Sequence, residues 1–149
     1  MSHTYTRQLL HVVFSTKERR PHLTKDVRPR MYGYIRTVSE DLNVAVLALN
    51  GVEDHLHLLI DLPASLNTAE FMQKLKANSS RWFRKQFPTV DFRWQRGYGA
   101  FSVSESKVGD VRGYIDRQEE HHKKSSFEDE IRKLVANHGL TFDERFFLE

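Results

Sequence analysis

Apolar runs alternate with amphipathic stretches along this chain in an order that predicts strands and helices in turn. Leu9 to Phe14 (LLHVVF) is β-branched and aromatic enough for a strand, and the following TKERRPHLT breaks it with Pro21 and supplies Thr24 as a helix cap. From Lys25 to about Leu42 the residues Val27, Met31, Ile35, Val38 and Leu42 recur every three or four positions, the spacing of one buried helical stripe. Val44 to Leu49, the Asn50-Gly51 turn signal and a second apolar run to Leu62 read as two antiparallel strands joined by a short hairpin. In the second of these, Leu56, Leu58, Ile60 and Leu62 fall on one face, while His55, His57, Leu59 and Asp61 fall on the other. Pro63 stops that strand, Asn67 or Thr68 caps the next segment, and Phe71, Leu75, Asn78, Trp82 and Phe83 carry a helix to about Phe87. Gly97, Gly99 and the stretch Ala100 to Val103 predict a turn entering a fourth strand.

The resulting order, β-α-β-β-α-β, is the ferredoxin-like or RRM-like α+β arrangement, an antiparallel sheet with two helices on one face and the other face expected to be open. Two further helices are predicted: Val108 to Lys124 and, after a Ser125-x-x-Glu128 capping box, Phe127 to Asn137 ending at Gly139. No internal repeat and no long linker divides the chain, so residues 1–149 are expected to form a single domain.

Composition narrows the function classes. The 149 residues include no cysteine, which excludes disulfides, thiolate metal sites and Cys nucleophiles and is compatible with a reducing cytosol. The start, MSHTYTRQ, has no apolar signal core, and the longest unbroken apolar stretch, Val44 to Leu49, is far short of the ~20 residues a membrane helix needs. A cytoplasmic protein with no membrane partner is expected. The net charge of +3 hides a segregation: +6 over residues 1–37, −6 over 38–70, +6 over 71–99 and −3 over 100–149. Two basic blocks can form a local positive surface that attracts phosphate backbones, or simply solvated helix faces.

Candidate chemistry rests on two constellations. Imidazoles at i and i+2 of a strand project from one face, so His55 and His57 can share a divalent metal, with Leu56 anchored in the core between them; two histidines merely satisfied on a polar face is the alternative. On the helix from Val108, Tyr114 and Gln118 lie one above the other at i and i+4, a nucleophile and an oxygen ligand, or else a packed phenol and a solvent-facing amide. A phenol of pKa ~10 is only about one part in a thousand ionised at pH 7, so attack by Tyr114 requires a metal that neutralises the phosphate. His121, one turn beyond Gln118, and His11, in the first strand, are candidates for tuning the site or for structural hydrogen bonds.

The strings DHLHLLIDLP around His55 and His57 and YIDRQEEHH from Tyr114 resemble the single-tyrosine HUH transposases, small enzymes of insertion-sequence-two-hundred-like elements. The resemblance extends over HVVFSTKERR, NGVEDHLHLLI, KLKANSSRWF, GYGAFSVSES and SFEDEIRKLVANHGLTFDERF, in that order. It implies a DNA transposase that nicks and rejoins single-stranded DNA at hairpin-containing ends. His55, His57 and Gln118 would hold Mg²⁺ or Mn²⁺, and Tyr114 would form a 5′-phosphotyrosine and free a 3′-hydroxyl. It also implies a homodimer with composite sites, the histidines of one subunit meeting Tyr114 of the other, associated with the nucleoid when bound to DNA. Lys17, Arg19 and Arg20 sit where the family tends to be basic, and Lys74, Lys76, Asn78, Ser79 and Arg81 cluster on the second helix as candidate DNA contacts. Trp82 can stack on a base or, by its place in the stripe, belong to the core. Alternatives are a domesticated nuclease acting on palindromes, a water-using metal phosphodiesterase that does not need Tyr114, a rolling-circle replication initiator, and a non-catalytic RRM-like module, which expects aromatics on the open sheet face.

Overall fold

A computed structural model describes residues 3–147. The strands are β1 (Leu9–Ser15), β2 (Ala45–Gly51), β3 (His55–Asp61) and β4 (Gly99–Ser102), and the helices α1 (Arg28–Asp41), α2 (Thr68–Gln86), α3 (Val108–Asp116), the four-residue α4 (Gln118–His121) and α5 (Phe127–Asn137). All four strands form one antiparallel sheet in the order β2-β3-β1-β4, the ferredoxin-like arrangement. Among the described residues no helix is long and apolar enough to cross a membrane.

The alternation along β3 is realised as read. Leu56, Leu58 and Ile60 join Val12 and Phe14 of β1 in the main core, which Met31 and Ile35 of α1 and Phe71 and Leu75 of α2 close from above. Asn67 caps α2 by accepting a hydrogen bond from the Glu70 amide at 2.8 Å. Gly139, just past α5, takes the left-handed conformation expected of a helix-terminating glycine (φ +73°).

Four expectations are corrected. The second sheet face is not open: Val13, Phe101, Phe127 and Ile131 pack together under α5, and Ala48, Leu59 and Ile115 under α3. The apolar stripe of α3 and the Phe127/Ile131 pair of α5 cannot stay in water, and the sheet is their nearest apolar partner. Asn50-Gly51 is not the hairpin turn. Both residues belong to β2, opposite His57 and Leu56, and the chain reverses through Val52–Asp54. A Cβ on Gly51 would lie 2.2 Å from the His55 carbonyl oxygen, so glycine is required there by close backbone approach. The helix expected from Val108 to Lys124 breaks at Arg117 (φ −101°, ψ 22°) into α3 and α4. The α5 cap is Ser126, accepting from the Asp129 amide at 3.1 Å, while the Ser125 carbonyl serves His122.

A bulge in β2 has the largest consequence for the site. The register slips between Val46 and Ala48: Val46 pairs with Ile60 on the core face, whereas Ala48 pairs with Leu59 and Asn50 with His57. One extra residue reverses the facing of everything after it, so Asn50 turns toward the second face. There its amide donates to the carbonyls of Ile115 and Asp116 at 3.0 and 3.2 Å and holds the end of α3.

Candidate active site

β3 carries His55 and His57 to the centre of the second face, where both are fully buried. They are not the surface residues that a polar strand face implied, because α4 and α5 lie over them. Each ring is oriented from behind. His55 Nδ1 is 2.7 Å from Asp54 Oδ1, and His57 Nδ1 is 2.8 Å from Nε2 of His11, which β1 delivers from the neighbouring strand. The hydrogen-bonding role of His11 is thereby established. Both Nε2 atoms point away from these partners, toward one spot beneath α5.

That spot is filled by a carboxylate that no sequence pattern singled out. Glu130, buried on α5, places Oε1 at 2.9 Å from His57 Nε2, 3.2 Å from His55 Nε2 and 3.0 Å from His122 Nε2. His122 is oriented like the others, its Nδ1 donating to the Ser125 carbonyl at 2.9 Å. Gln118 is fully buried in the same cluster, with Oε1 at 2.9 Å from His122 Nε2 and Nε2 donating to Glu130 Oε2 at 3.2 Å. The Tyr114 hydroxyl donates to Glu130 Oε2 and lies 3.4 Å from His121 Nε2. Tyr114 is therefore brought together with His55, His57 and Gln118 of the same chain.

Two signals for the missed residues were present. Glu130 sits on the apolar stripe Phe127, Ile131 and Leu134 of its own helix, where a carboxylate survives burial only with partners. His122 stands four positions after Gln118, as Gln118 does after Tyr114.

The electrostatics follow from crowding in a dry place. Glu130 is held well below the usual carboxylate range: burial opposes this, but hydrogen bonds from His122, His55 and His57 prevail. Burial pushes His57 down to about 4, against the pull of Glu130, and burial together with His57 pushes His11 down to about 3. His55 is raised instead, because hydrogen bonds to Asp54 and Glu130 outweigh its burial. Burial, reinforced by Glu130, pushes the Tyr114 phenol well above its usual value. Burial and the Glu130 carboxylate together keep the phenol neutral.

The donor set fits a divalent metal. His55, His57, His122 and Glu130 each offer one ligand atom, all within 4.8 Å of one another, and the back-side contacts of the rings are those that fix ligand tautomers. Beside the centre a cavity of about 550 Å³ reaches Tyr114 between His11, Val103, Lys107, Val111 and His138. Its size falls in the range of sites that hold small molecules or single nucleotides.

The expected DNA contacts divide. Lys17, Arg19, Arg20, Lys74 and Arg81 are exposed; Arg19 approaches Glu128 at 3.6 Å, Arg20 pairs with Glu18 and Lys74 with Glu70. Lys76 and Ser79 are engaged in the fold. The Lys76 ammonium donates to the carbonyls of Gln95, Arg96 and Gly97 at 2.8, 3.1 and 2.6 Å, and buried Ser79 donates to the Leu75 carbonyl and accepts from the Trp94 indole. Both tie α2 to the segment entering β4. Asn78 donates to the Lys74 carbonyl and accepts from Arg81. Trp82 is half-buried, stacked on Tyr34 at 5.5 Å with Arg30 over its ring. Arg84, Arg93 and Arg96, which no sequence pattern marked, line a basic cleft of about 660 Å³ with Lys76 and Tyr98.

Fold and site together define an α+β protein of the ferredoxin-like kind that sets a tyrosine against a cluster of strand-borne histidines. The chain belongs to the family described as "Transposase IS200 like", whose profile matches residues 4–118. It is 30% identical over 129 residues to the transposase for insertion sequence element IS200 of Salmonella typhimurium, covering 83% of this chain and 84% of that one. A crystal structure of a candidate transposase from Deinococcus radiodurans R1 has the same fold, with TM-score 0.65 and 23% identity over 79% of this chain and 96% of that one. The REP-associated tyrosine transposase bound to a REP hairpin is similar at TM-score 0.56 and 16% identity, over 78% of this chain and 67% of that one.

Proposed function

We propose that the protein is a metal-dependent transposase that cleaves and rejoins single-stranded DNA at hairpin-containing ends, with Tyr114 as the nucleophile. The observation that carries this reading is the Tyr114 hydroxyl aimed into the buried histidine centre and hydrogen-bonded to Glu130. Family membership and the hairpin bound to a structurally similar protein support DNA as the partner.

Tyr114 Oη attacks the scissile phosphorus; a P–O bond to the tyrosine forms, the P–O3′ bond breaks, and the products are a 5′-phosphotyrosine and a 3′-hydroxyl. Glu130 Oε2 accepts the hydrogen bond that orients the phenol, the phenolic proton is released to solvent as the P–O bond forms, and the departing 3′ oxygen takes a proton from solvent. His55 and His57, with Gln118 alongside, would hold Mg²⁺ or Mn²⁺. When bound, that ion neutralises charge on the phosphate and favours the ionised phenol. Asp54 keeps His55 in the binding tautomer, and His11 orients the His57 ring. Because the covalent bond keeps the phosphodiester reactive, a second 3′-hydroxyl can reverse the step and join new ends. The same chemistry at repeated palindromes would serve a domesticated nuclease.

The test is a covalent adduct between the protein and a 3′-labelled single-stranded oligonucleotide carrying a hairpin, drawn from the DNA flanking the gene. Wild-type protein with Mn²⁺ should give an adduct stable to denaturing gels, and Tyr114→Phe should bind the same DNA and give none. An adduct retained by the Phe variant would move the nucleophile elsewhere. The proposed homodimer is tested by mixing His55→Ala with Tyr114→Phe after subunit exchange. Composite sites return roughly a quarter of wild-type cleavage, since about half the pairs are mixed and each rebuilds one of two sites. Sites that work in cis, as the single chain arranges them, return none.

A further inference from the structure

Resting on the reading that His55 and His57 hold a divalent ion, we propose that His122 and Glu130 are also ligands. The centre is then a four-ligand set of three imidazoles and one carboxylate that selects a transition-metal dication over Mg²⁺. Both added ligands lie beyond residue 118, where the match to the family profile ends.

The tautomers make the first argument. His122 Nδ1 faces a carbonyl and His55 Nδ1 faces a carboxylate, so both must carry the proton on Nδ1 and leave Nε2 with a bare lone pair. Those lone pairs meet a carboxylate oxygen at 3.0 and 3.2 Å and each other at 3.0 Å. Lone pair against lone pair in a buried place is stable only with positive charge between them. One dication among the facing Nε2 and Oε1 atoms supplies it in a single step.

Spacing makes the second. Two ligands bound at about 2.1 Å lie roughly 3.0 Å apart when they subtend a right angle at the metal and roughly 3.4 Å apart in a tetrahedron. The contacts of Glu130 Oε1 with the three Nε2 atoms, 2.9 to 3.2 Å, lie around the lower end of this range. Donor type makes the third. Mg²⁺ prefers oxygen ligands and retained water, whereas three imidazoles and a carboxylate suit Mn²⁺, Co²⁺ and Zn²⁺ increasingly well along the affinity order of divalent ions. With Gln118 as a fifth ligand, a six-coordinate ion so held keeps one position for a phosphate oxygen.

The experiment uses the full chain, stripped with chelator and titrated calorimetrically with Co²⁺, Zn²⁺ or Mg²⁺ alone, with the visible absorption of Co²⁺ as a readout independent of activity. Wild type should bind one Co²⁺ per chain at least 100-fold more tightly than Mg²⁺. His122→Gln and Glu130→Gln should each weaken Co²⁺ binding at least tenfold and change its spectrum, while His22→Gln, remote from the centre, changes neither. Far-ultraviolet dichroism in chelator checks that the variants fold, and Glu130→Asp, which keeps the charge on a shorter arm, should fall between wild type and Glu130→Gln. If His57→Gln loses Co²⁺ while His122→Gln and Glu130→Gln bind it like wild type, the ligand set ends at the strand pair and this proposal fails alone. Equal affinity for Mg²⁺ overturns the selectivity, and a wild type that binds no dication overturns the metal reading altogether.

Discussion

The two faces of the sheet are built from alternate residues of the same strands, yet one is made for stability and the other for chemistry. On the first, Leu56, Leu58 and Ile60 meet α1 and α2 in an apolar core. On the second, one residue away along β3, His55 and His57 meet His122 and Glu130 under α4 and α5, with apolar clusters on either side. His55, His57 and Glu130 are nearly as buried as the leucines. The difference shows that burial does not separate core from site in this fold; what separates them is whether the buried groups satisfy one another without help. The leucines do. The histidine centre reaches that state only with protons or a metal.

The comparison is broken most severely by Leu58→Ala, which should cost about 2–5 kcal/mol, the usual penalty for emptying a packed position. It should nonetheless leave metal affinity intact in the protein that remains folded. His57→Ala should cost less, about 1–3 kcal/mol for a removed buried hydrogen-bond partner, and abolish metal binding. Urea unfolding and metal titration of both variants measure the contrast, and equal effects on both quantities would erase it.

Acid should act chiefly through the second face. In chelated protein His11 and His57 have folded-state values of about 3 and 4, below the ordinary 6.5. Between pH 6.5 and about 4 the unfolded chain therefore binds protons that the folded chain refuses, and stability falls with falling pH. Two such groups give a slope of up to roughly 2.7 kcal/mol per pH unit. His55 is raised, so its contribution is complete below pH 6.5 and is lost as pH rises through its folded value. Chelated protein should thus be most stable near pH 6.5. Unfolding curves at pH 5, 6.5 and 8 decide the point, and equal stability at pH 5 and 6.5 would refute it.

The smallest change sharpens the comparison. Asn50→Ala removes the two hydrogen bonds that hold the end of α3 and should cost about 1 kcal/mol. On the core side only the 3.4 Å contact from the Tyr32 hydroxyl is lost, so the change should appear mainly as slower adduct formation by a displaced Tyr114, with DNA affinity unchanged.

The sequence by itself determined the order of elements, the helix stripes, the Asn67 cap and the strand alternation that sends His55 and His57 away from the leucines. These are properties of neighbours one to four positions apart, and periodicity reports them directly. It also marked Tyr114 and Gln118 as a pair on one helical turn, and its motifs pointed to the transposase family to which the profile match assigns the chain. Only the tertiary structure decided that the second face is covered, that Lys76 and Ser79 serve the fold, and that the β2 bulge turns Asn50 from a turn signal into a clamp. It alone brought Glu130 to His57, 73 residues away. Convergence of that kind leaves no local period in the sequence, because it is set by how α5 must lie to bury Phe127 and Ile131 against the sheet.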